Sequence, residues 1–271
     1  MNFQPLIPLG GLPGWVLLNN TLERQTEVFN KSPQIIRDTE YFEQNIGSVL
    51  TAEDLVSDRR LLRVALGAFG LSDQINDRAL LQKVLEGGTA DRGSLANRLG
   101  DNRYKQFADA FGFADKIIPS TILPSFGADI TDKYRQREFE VAVGDQDESL
   151  RLAMNLKREI GDLVSSDAPN DTIWFQIMGT PPLRKVFEVA LGLPSGFGQL
   201  DIDKQLEIFK DQAKNQFGLD QLSELTDGDL QEKLIQRYLL RDQISAIQVQ
   251  SSGATALTLL QSVPSPFPTT S

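Results

Sequence analysis

Apolar residues recur three and four positions apart along most of the chain, which is the spacing that places them on one face of an α-helix. Alternating stretches of the kind that form strands are limited to short runs near Trp15 and at residues 246–249. The pattern therefore predicts an all-α, multi-helical fold. Clear amphipathic groups, in chain order, are Ile35, Ile36, Tyr41, Phe42 and Ile46; Leu80, Leu81, Val84 and Leu85; and Leu230, Leu234 and Tyr238.

Three of the predicted helices share one design at their C-terminal end. The segments RRLLRVALGAF, RYKQFADAF and LRKVFEVAL run directly into Gly70, Gly112 and Gly192, and an apolar residue follows each glycine. Glycine adopts the left-handed conformation that ends a helix, and the next apolar residue folds back onto the last turn. The alanine two positions before each glycine permits close packing of a neighbouring helix; these alanines are Ala68, Ala110 and Ala190.

The spacing of these glycines leaves two interpretations open. Gly70 and Gly112 are 42 residues apart, and Gly112 and Gly192 are 80 apart, nearly twice that distance. This spacing fits a degenerate helical repeat of about 40 residues. The alternative is a set of unrelated helices that each end in glycine, which is common.

The same pattern predicts four regions. Residues 1–18 contain three prolines and are expected to form an extended arm, because proline removes a backbone donor and restricts φ. Residues 19–125 form a helical subdomain. Residues 126–245 form a long helical stretch, with a possible break near Gly144, and a second helical subdomain. Residues 246–271 end in a Pro/Ser/Thr-rich segment and are expected to be a mostly disordered tail.

Composition excludes several kinds of chemistry. The 271 residues include no cysteine and no histidine, so the chain itself cannot supply thiolate nucleophiles, Cys or His metal ligands, or Ser-His-Asp catalysis. The net charge of −10 disfavours nucleic acid as a partner. The basic cluster of Arg59, Arg60 and Arg63 reads as a solvated helix face.

No motif identifies a catalytic, cofactor-binding or metal-binding residue, and none is assigned. The acidic segments at residues 201–204 and 144–148 lack the later ligands of a calcium loop and predict helix caps. Phosphate-binding glycine motifs are absent. Carboxylates are abundant, but no spacing singles out a catalytic pair. The aromatic residues Phe107, Phe111, Phe113 and Phe187 occupy apolar helix positions and are expected in the core.

The N-terminal segment lacks the basic region of a cleaved signal peptide, and no apolar run is long enough to cross a membrane. We therefore expect no membrane span and a protein that is either cytoplasmic or associated with the flagellum; the second possibility depends on the resemblance described next.

Several strings together resemble a known family. They are LVSDRRLLRVALGAFGLSD, LANRLGDNRYKQFADAFGF, LRKVFEVALGLP and DIDKQLEIF. These strings resemble an uncharacterised alphaproteobacterial family catalogued as a domain of unknown function, whose members are often encoded among flagellar genes. The resemblance covers most of residues 15–245 and carries no catalytic residues. It implies protein partners, flagellar components among them.

These observations favour a non-enzymatic structural or interaction protein associated with the flagellum or its assembly. Two alternatives stay open. A cytoplasmic helical adaptor or chaperone-like module would present an apolar groove beside the glycine-ended helices. A carboxylate- or metal-dependent hydrolase would need clustered, buried Asp or Glu side chains.

Overall fold

The computed structural model describes residues 3–164 and 168–261, and the side chains of residues 3–161, 163–164 and 168–247. Over these residues the protein contains α-helices and short 3-10 helices but no strand, which confirms the all-α fold class. The first seven helices are α1 (Gly11–Asn30), α2 (Pro33–Asn45), α3 (Ala52–Ser57), α4 (Arg59–Ala68), α5 (Arg78–Gly87), α6 (Leu95–Arg98) and α7 (Asn102–Phe111). The remaining helices are α8 (Phe126–Gly144), α9 (Glu148–Val164), α10 (Asn170–Met178), α11 (Pro181–Leu191), α12 (Ile202–Phe217) and α13 (Gly228–Gln261).

The N-terminal arm is shorter than the predicted residues 1–18, because α1 already begins at Gly11. Pro13 is the third residue of this helix, where a backbone N–H would have no intrahelical partner, so proline is tolerated there. Trp15 and Leu18, on this helix, are buried in the core. The predicted arm extended too far because a proline in the first turn of a helix does not prevent the helix from forming.

The predicted long helical stretch is divided into α8 and α9 by a turn after Gly144, as its sequence indicated. The carboxylate of Asp147 ends this turn. Its Oδ1 accepts from the backbone N–H of Ser149 (2.9 Å) and Leu150 (3.2 Å), which caps the start of α9. Its Oδ2 accepts from the N–H of Gly11 (3.2 Å), so the same residue also holds the start of α1. One acidic side chain thus joins two helix N-termini.

The glycine-ended helices have the predicted C-caps. Gly70, Gly112 and Gly192 all have a left-handed φ, between 66° and 69°. The N–H of Leu71 donates to Leu66 O, and that of Leu193 to Glu188 O, which is the Schellman hydrogen bond. The 40-residue repeat is not confirmed. Among these three helices α4 packs on α8, α7 on α5 and α6, and α11 on α9 and α13, so their surroundings differ.

Helices α8 and α9 organise the core. Helix α8 packs against α2 and α4, and α9 packs against α11 and α13, while α8 and α9 also pack against each other. The buried apolar residues of the described chain form a cluster that extends from Trp15 to Leu239. The division into subdomains at residue 126 stays a prediction.

The last helix continues beyond the predicted boundary of the tail. Helix α13 extends to Gln261, whereas the sequence predicted a mostly disordered tail from residue 246. The prolines that argued against regular structure lie at residues 264–268, after the helix has ended. Residues 262–271 lie outside the described residues. None of the helices in the described part of the chain is both long and apolar enough to cross a membrane.

Candidate functional site

A network of charged side chains lies inside the interface between α8 and α9. Arg137 Nη2 is 2.6 Å from Glu159 Oε1, and Arg158 pairs with both carboxylate oxygens of Glu140 at 2.7 and 3.0 Å. Arg158 Nη1 also lies 3.2 Å from Glu159 Oε1. We call these four residues the charge network. Residues 137 and 140 are three positions apart on α8, and 158 and 159 are adjacent on α9, so both pairs can face the shared interface.

The charge network balances its own charges. Burial by itself would raise the pKa of Glu159, but the guanidinium groups of Arg137 and Arg158 hold that pKa below its usual value. The hydrogen bonds and charges of Glu140 and Glu159 likewise raise the pKa of Arg158 against the effect of burial. Glu159 and Arg158 are therefore ionised at neutral pH. Each carboxylate is bonded to arginine, which suits a structural ion pair more than a general acid or base.

A cavity of about 580 Å³ borders the network on one side, and we call it the polar cavity. It lies between the C-terminal end of α4, one face each of α8 and α9, and the start of α11. Charged side chains of both signs line it: Asp73, Arg103, Arg137, Glu138, Glu140, Glu148, Arg151 and Lys185.

Glu138, which lines the polar cavity, has a pKa close to neutral pH. Burial raises the pKa of Glu138 to about 7, and the negative charge of Asp38 adds to the effect. Asp38 itself accepts from the hydroxyl of Tyr134 (3.3 Å) and pairs with Arg63 (3.4 Å). Among the described residues nothing donates a hydrogen bond to Glu138. A carboxyl group in this state can exchange a proton near neutral pH.

A second unusual region is the segment 117–123 between α7 and α8, which exposes its isoleucine and leucine side chains and which we call the apolar loop. Ile117 is fully exposed, and Ile118 and Leu123 are 57% and 55% exposed. Ile122 is 43% exposed, so four large aliphatic side chains face solvent within seven positions. Leu50, at 57% exposure, follows Val49, to which the loop is bonded. Large exposed apolar patches mark interaction sites, and this segment concentrates exposed aliphatic residues in the sequence.

The apolar loop is held firmly despite its exposure. The buried hydroxyl of Thr121 donates to Val49 O at 2.6 Å, and Lys116 Nζ donates to Ser120 Oγ at 2.8 Å. Just before the loop, Asp115 accepts from the backbone N–H groups of Thr89 and Ala90, and these bonds lower its pKa. The aliphatic side chains are thus presented from a bonded backbone.

A family model described as "Protein of unknown function (DUF1217)" matches residues 68–232. The chain belongs to this family. The matched range contains the charge network, the polar cavity's α8 and α9 walls and the apolar loop. No match was found among curated proteins.

A crystal structure of a protein from Agrobacterium tumefaciens has the same fold, with a TM-score of 0.71. It is 24% identical in sequence, and the match covers 90% of this chain and 99% of that one. At this identity the likeness concerns the fold alone. The organism agrees with the alphaproteobacterial resemblance seen in the sequence of this DUF1217 protein.

Among the residues that the sequence singled out, Gly70 and Glu148 line the polar cavity, and the others lie outside it. Arg60 stacks on the ring of Tyr41 at 3.6 Å and Arg63 pairs with Asp38, so these arginines make contacts within the chain. Asp201 caps α12 by accepting from Asp203 N at 3.0 Å, as predicted. The described residues contain no group of three Asp or Glu side chains that could hold a metal ion.

The predicted aromatic core is confirmed. Phe107, Phe111 and Phe187 are buried, and Phe113 packs against the core from a partly buried position. Sequence analysis missed the charge network. Its only signal is that Arg137 and Glu140 are interleaved with the buried apolar residues Phe139 and Val143, and on a helix such positions more often face solvent.

Proposed function

We propose that this protein is a non-enzymatic interaction protein that docks a protein partner through the apolar loop. The observation that carries the proposal is the exposure of Ile117, Ile118, Ile122 and Leu123 on a backbone that hydrogen bonds hold in place.

Leaving these aliphatic side chains in water is unfavourable in free energy. Burying an exposed aliphatic side chain contributes roughly 1.5–3 kcal/mol, so a partner that covers several of them gains a substantial part of a stable interface. The loop meets its partner with little loss of backbone freedom, because Thr121 already fixes its centre to Val49. The matching partner surface is an apolar groove or helix face.

A component of the flagellum, or of its assembly, is the partner that we propose. Support comes from the resemblance to a family whose members are often encoded among flagellar genes. The proposed role is structural or assembly-related.

An affinity pull-down from a motile native host tests both docking through the apolar loop and the flagellar identity of the partner. The bait is the tagged protein, compared with an Ile118→Glu, Leu123→Glu double variant by quantitative mass spectrometry. A Val28→Glu variant is the matched control, because Val28 is an exposed aliphatic residue on α1, outside the apolar loop. Circular dichroism of each bait establishes that it is folded.

Enrichment of flagellar export or axial components that the double variant loses and the control keeps would support the whole proposal. Loop-dependent enrichment of unrelated proteins would retain the docking role and remove the flagellar one. If the wild type and double variant capture the same proteins, the loop is not the docking surface. A deletion strain that swims normally would also contradict the flagellar role.

A cytoplasmic adaptor is the second candidate, and a different groove favours it. This groove has a volume of about 330 Å³, lies between α1, α8 and α9, and is lined by Trp15, Leu18, Leu22, Phe139 and Met154 among others. It differs from the groove expected beside the glycine-ended helices, where the polar cavity lies. A partner lost from a Leu22→Glu bait and retained by the loop variant would favour the adaptor.

A further inference from the structure

The polar cavity contains a buried side chain whose hydrogen bonding is incomplete. Asn155 lines the cavity and is only 3% exposed. Its Nδ2 donates to Glu159 Oε1 at 3.3 Å, whereas its Oδ1 has no partner in the described structure. The opposite assignment of the amide would place Oδ1 against the Glu159 carboxylate, so the carbonyl is the unsatisfied atom. Buried polar atoms are nearly always paired, so this one calls for a donor.

A second acceptor on the wall of the cavity also lacks a donor. The carboxyl group of Glu138, on α8, receives no hydrogen bond from the described residues, and burial together with Asp38 raises its pKa to about 7. A cation placed beside Glu138 would stabilise its ionised form and offset the repulsion from Asp38. Asn155 Oδ1 therefore calls for a donor, and the partly buried Glu138 carboxyl offers a second acceptor on the same cavity wall.

The cavity also presents uncommitted positive groups. The ammonium of Lys185, on α11, makes no ion pair or hydrogen bond with any described residue, although its charge influences Asp242 at a distance. Arg137 uses Nη2 for Glu159, while its Nη1 lies beside Gly70, 2.8 Å from where a side chain on that glycine would begin. The exposed ammonium of Lys185 and the unused Nη1 of Arg137 can pair with an anion.

The start of α11 offers little help in binding that anion. Pro181 and Pro182 occupy its first two positions, so two of the backbone N–H groups that normally bind anions at a helix start are missing. The anionic end of a ligand must therefore be bound by side chains, and Lys185 and Arg137 are the available ones.

We propose that the polar cavity binds a small zwitterion of the α-amino-acid class. Its ammonium group donates to Asn155 Oδ1 and to the Glu138 carboxylate, and its carboxylate pairs with Lys185 and Arg137. The volume of about 580 Å³ leaves ample room for a ligand of this size. This inference is independent of docking through the apolar loop, which is a separate surface.

The test uses the full chain and the standard set of L-amino acids as probes. Each amino acid is screened by thermal shift at concentrations up to about 10 mM, well above a typical binding constant for such ligands. Any that stabilises the protein is measured by isothermal titration calorimetry, together with the corresponding amine that lacks the carboxylate.

Three variants test the assigned contacts. Asn155→Leu removes the unsatisfied carbonyl with little change in volume, Glu138→Gln removes the acidic acceptor, and Lys185→Met removes the cation. Glu40→Gln and Lys83→Met are matched controls, because both residues are exposed on helices α2 and α5, and neither lines the cavity. Thermal unfolding without ligand establishes that each variant is folded.

We expect at least one amino acid to bind, with an affinity about tenfold or more weaker in each cavity variant and unchanged in the controls. Lys185→Met should weaken the amino acid and leave the weaker binding of its amine unaffected. The proposal is overturned if no amino acid binds, or if binding is the same in Asn155→Leu and Glu138→Gln as in wild type.

Discussion

The charge network and the apolar loop depart from the ordinary distribution of side chains in opposite directions. In the network, arginine and glutamate lie inside the α8–α9 interface, whereas in the loop isoleucine and leucine face water. The buried charges are compensated within the chain, since every carboxylate of the network has a guanidinium partner. The exposed aliphatic groups have no such compensation. The ion pairs of the network are thus completed within this chain, whereas the exposure of the loop is what the proposed partner would explain.

Breaking one pair of the charge network should have the largest effect on stability. Arg158→Met leaves Glu140 buried and unpaired, and we expect the free energy of unfolding to fall by about 3–5 kcal/mol. Urea denaturation followed by circular dichroism measures it. The double variant Arg158→Met, Glu140→Met removes both charges and should recover most of the loss. A double variant as unstable as the single one would contradict the idea that the unpaired charge is responsible.

Glu138 should make stability depend on pH. An unfolded glutamate ionises near 4.5 and folded Glu138 at about 7, so between these values the folded protein holds the extra proton. Stability should therefore fall as pH rises through this interval, by about 3 kcal/mol in total. In Glu138→Gln this part of the pH dependence should be absent. Urea titrations at several pH values give the difference, with Glu40→Gln as the control; parallel curves for wild type and Glu138→Gln would be the contrary result.

Gly112 affects the apolar-loop side of the comparison, because it ends α7 shortly before the segment that leads into the loop. Its φ of +66° is strained for any residue with a side chain. We expect Gly112→Val to cost about 1–2 kcal/mol, measured by thermal unfolding. Gly100→Val is the matched control, since Gly100 has a negative φ and open space around it. Equal melting temperatures for the two variants would mean that the C-cap interpretation of Gly112 is wrong.

Replacing the exposed aliphatic residues should have the smallest effect on folding. The double variant Ile118→Ser, Leu123→Ser should change the free energy of unfolding by no more than about 0.5 kcal/mol, because these side chains are mostly in contact with water. Urea denaturation measures this, and the pull-down measures binding. A large loss of stability would show that the loop serves the fold and would remove the contrast with the charge network.

The helix ends show how far local sequence can be interpreted. Gly70, Gly112 and Gly192 were recognised as C-caps and the turn near Gly144 as a break, because both depend on residues only a few positions apart. The predicted N-terminal arm and C-terminal tail are both longer than the structure has them. In each case the prediction extended the effect of prolines to neighbouring residues that are helical. Pro13 is tolerated in the first turn of α1, and α13 ends before the later prolines.

What the sequence by itself determined is the all-α class, the caps and breaks of individual helices, and the identity of aromatic core residues such as Phe107 and Phe187. Those features follow from the backbone preferences of individual residues and from the spacing of apolar residues within a single helix. Tertiary structure decided that Arg158 meets Glu140, that Asn155 and Glu138 share a cavity, and that Ile117 stays uncovered. Whether a side chain is paired, buried or exposed depends on what packs over it from distant parts of the chain, and no local pattern specifies that.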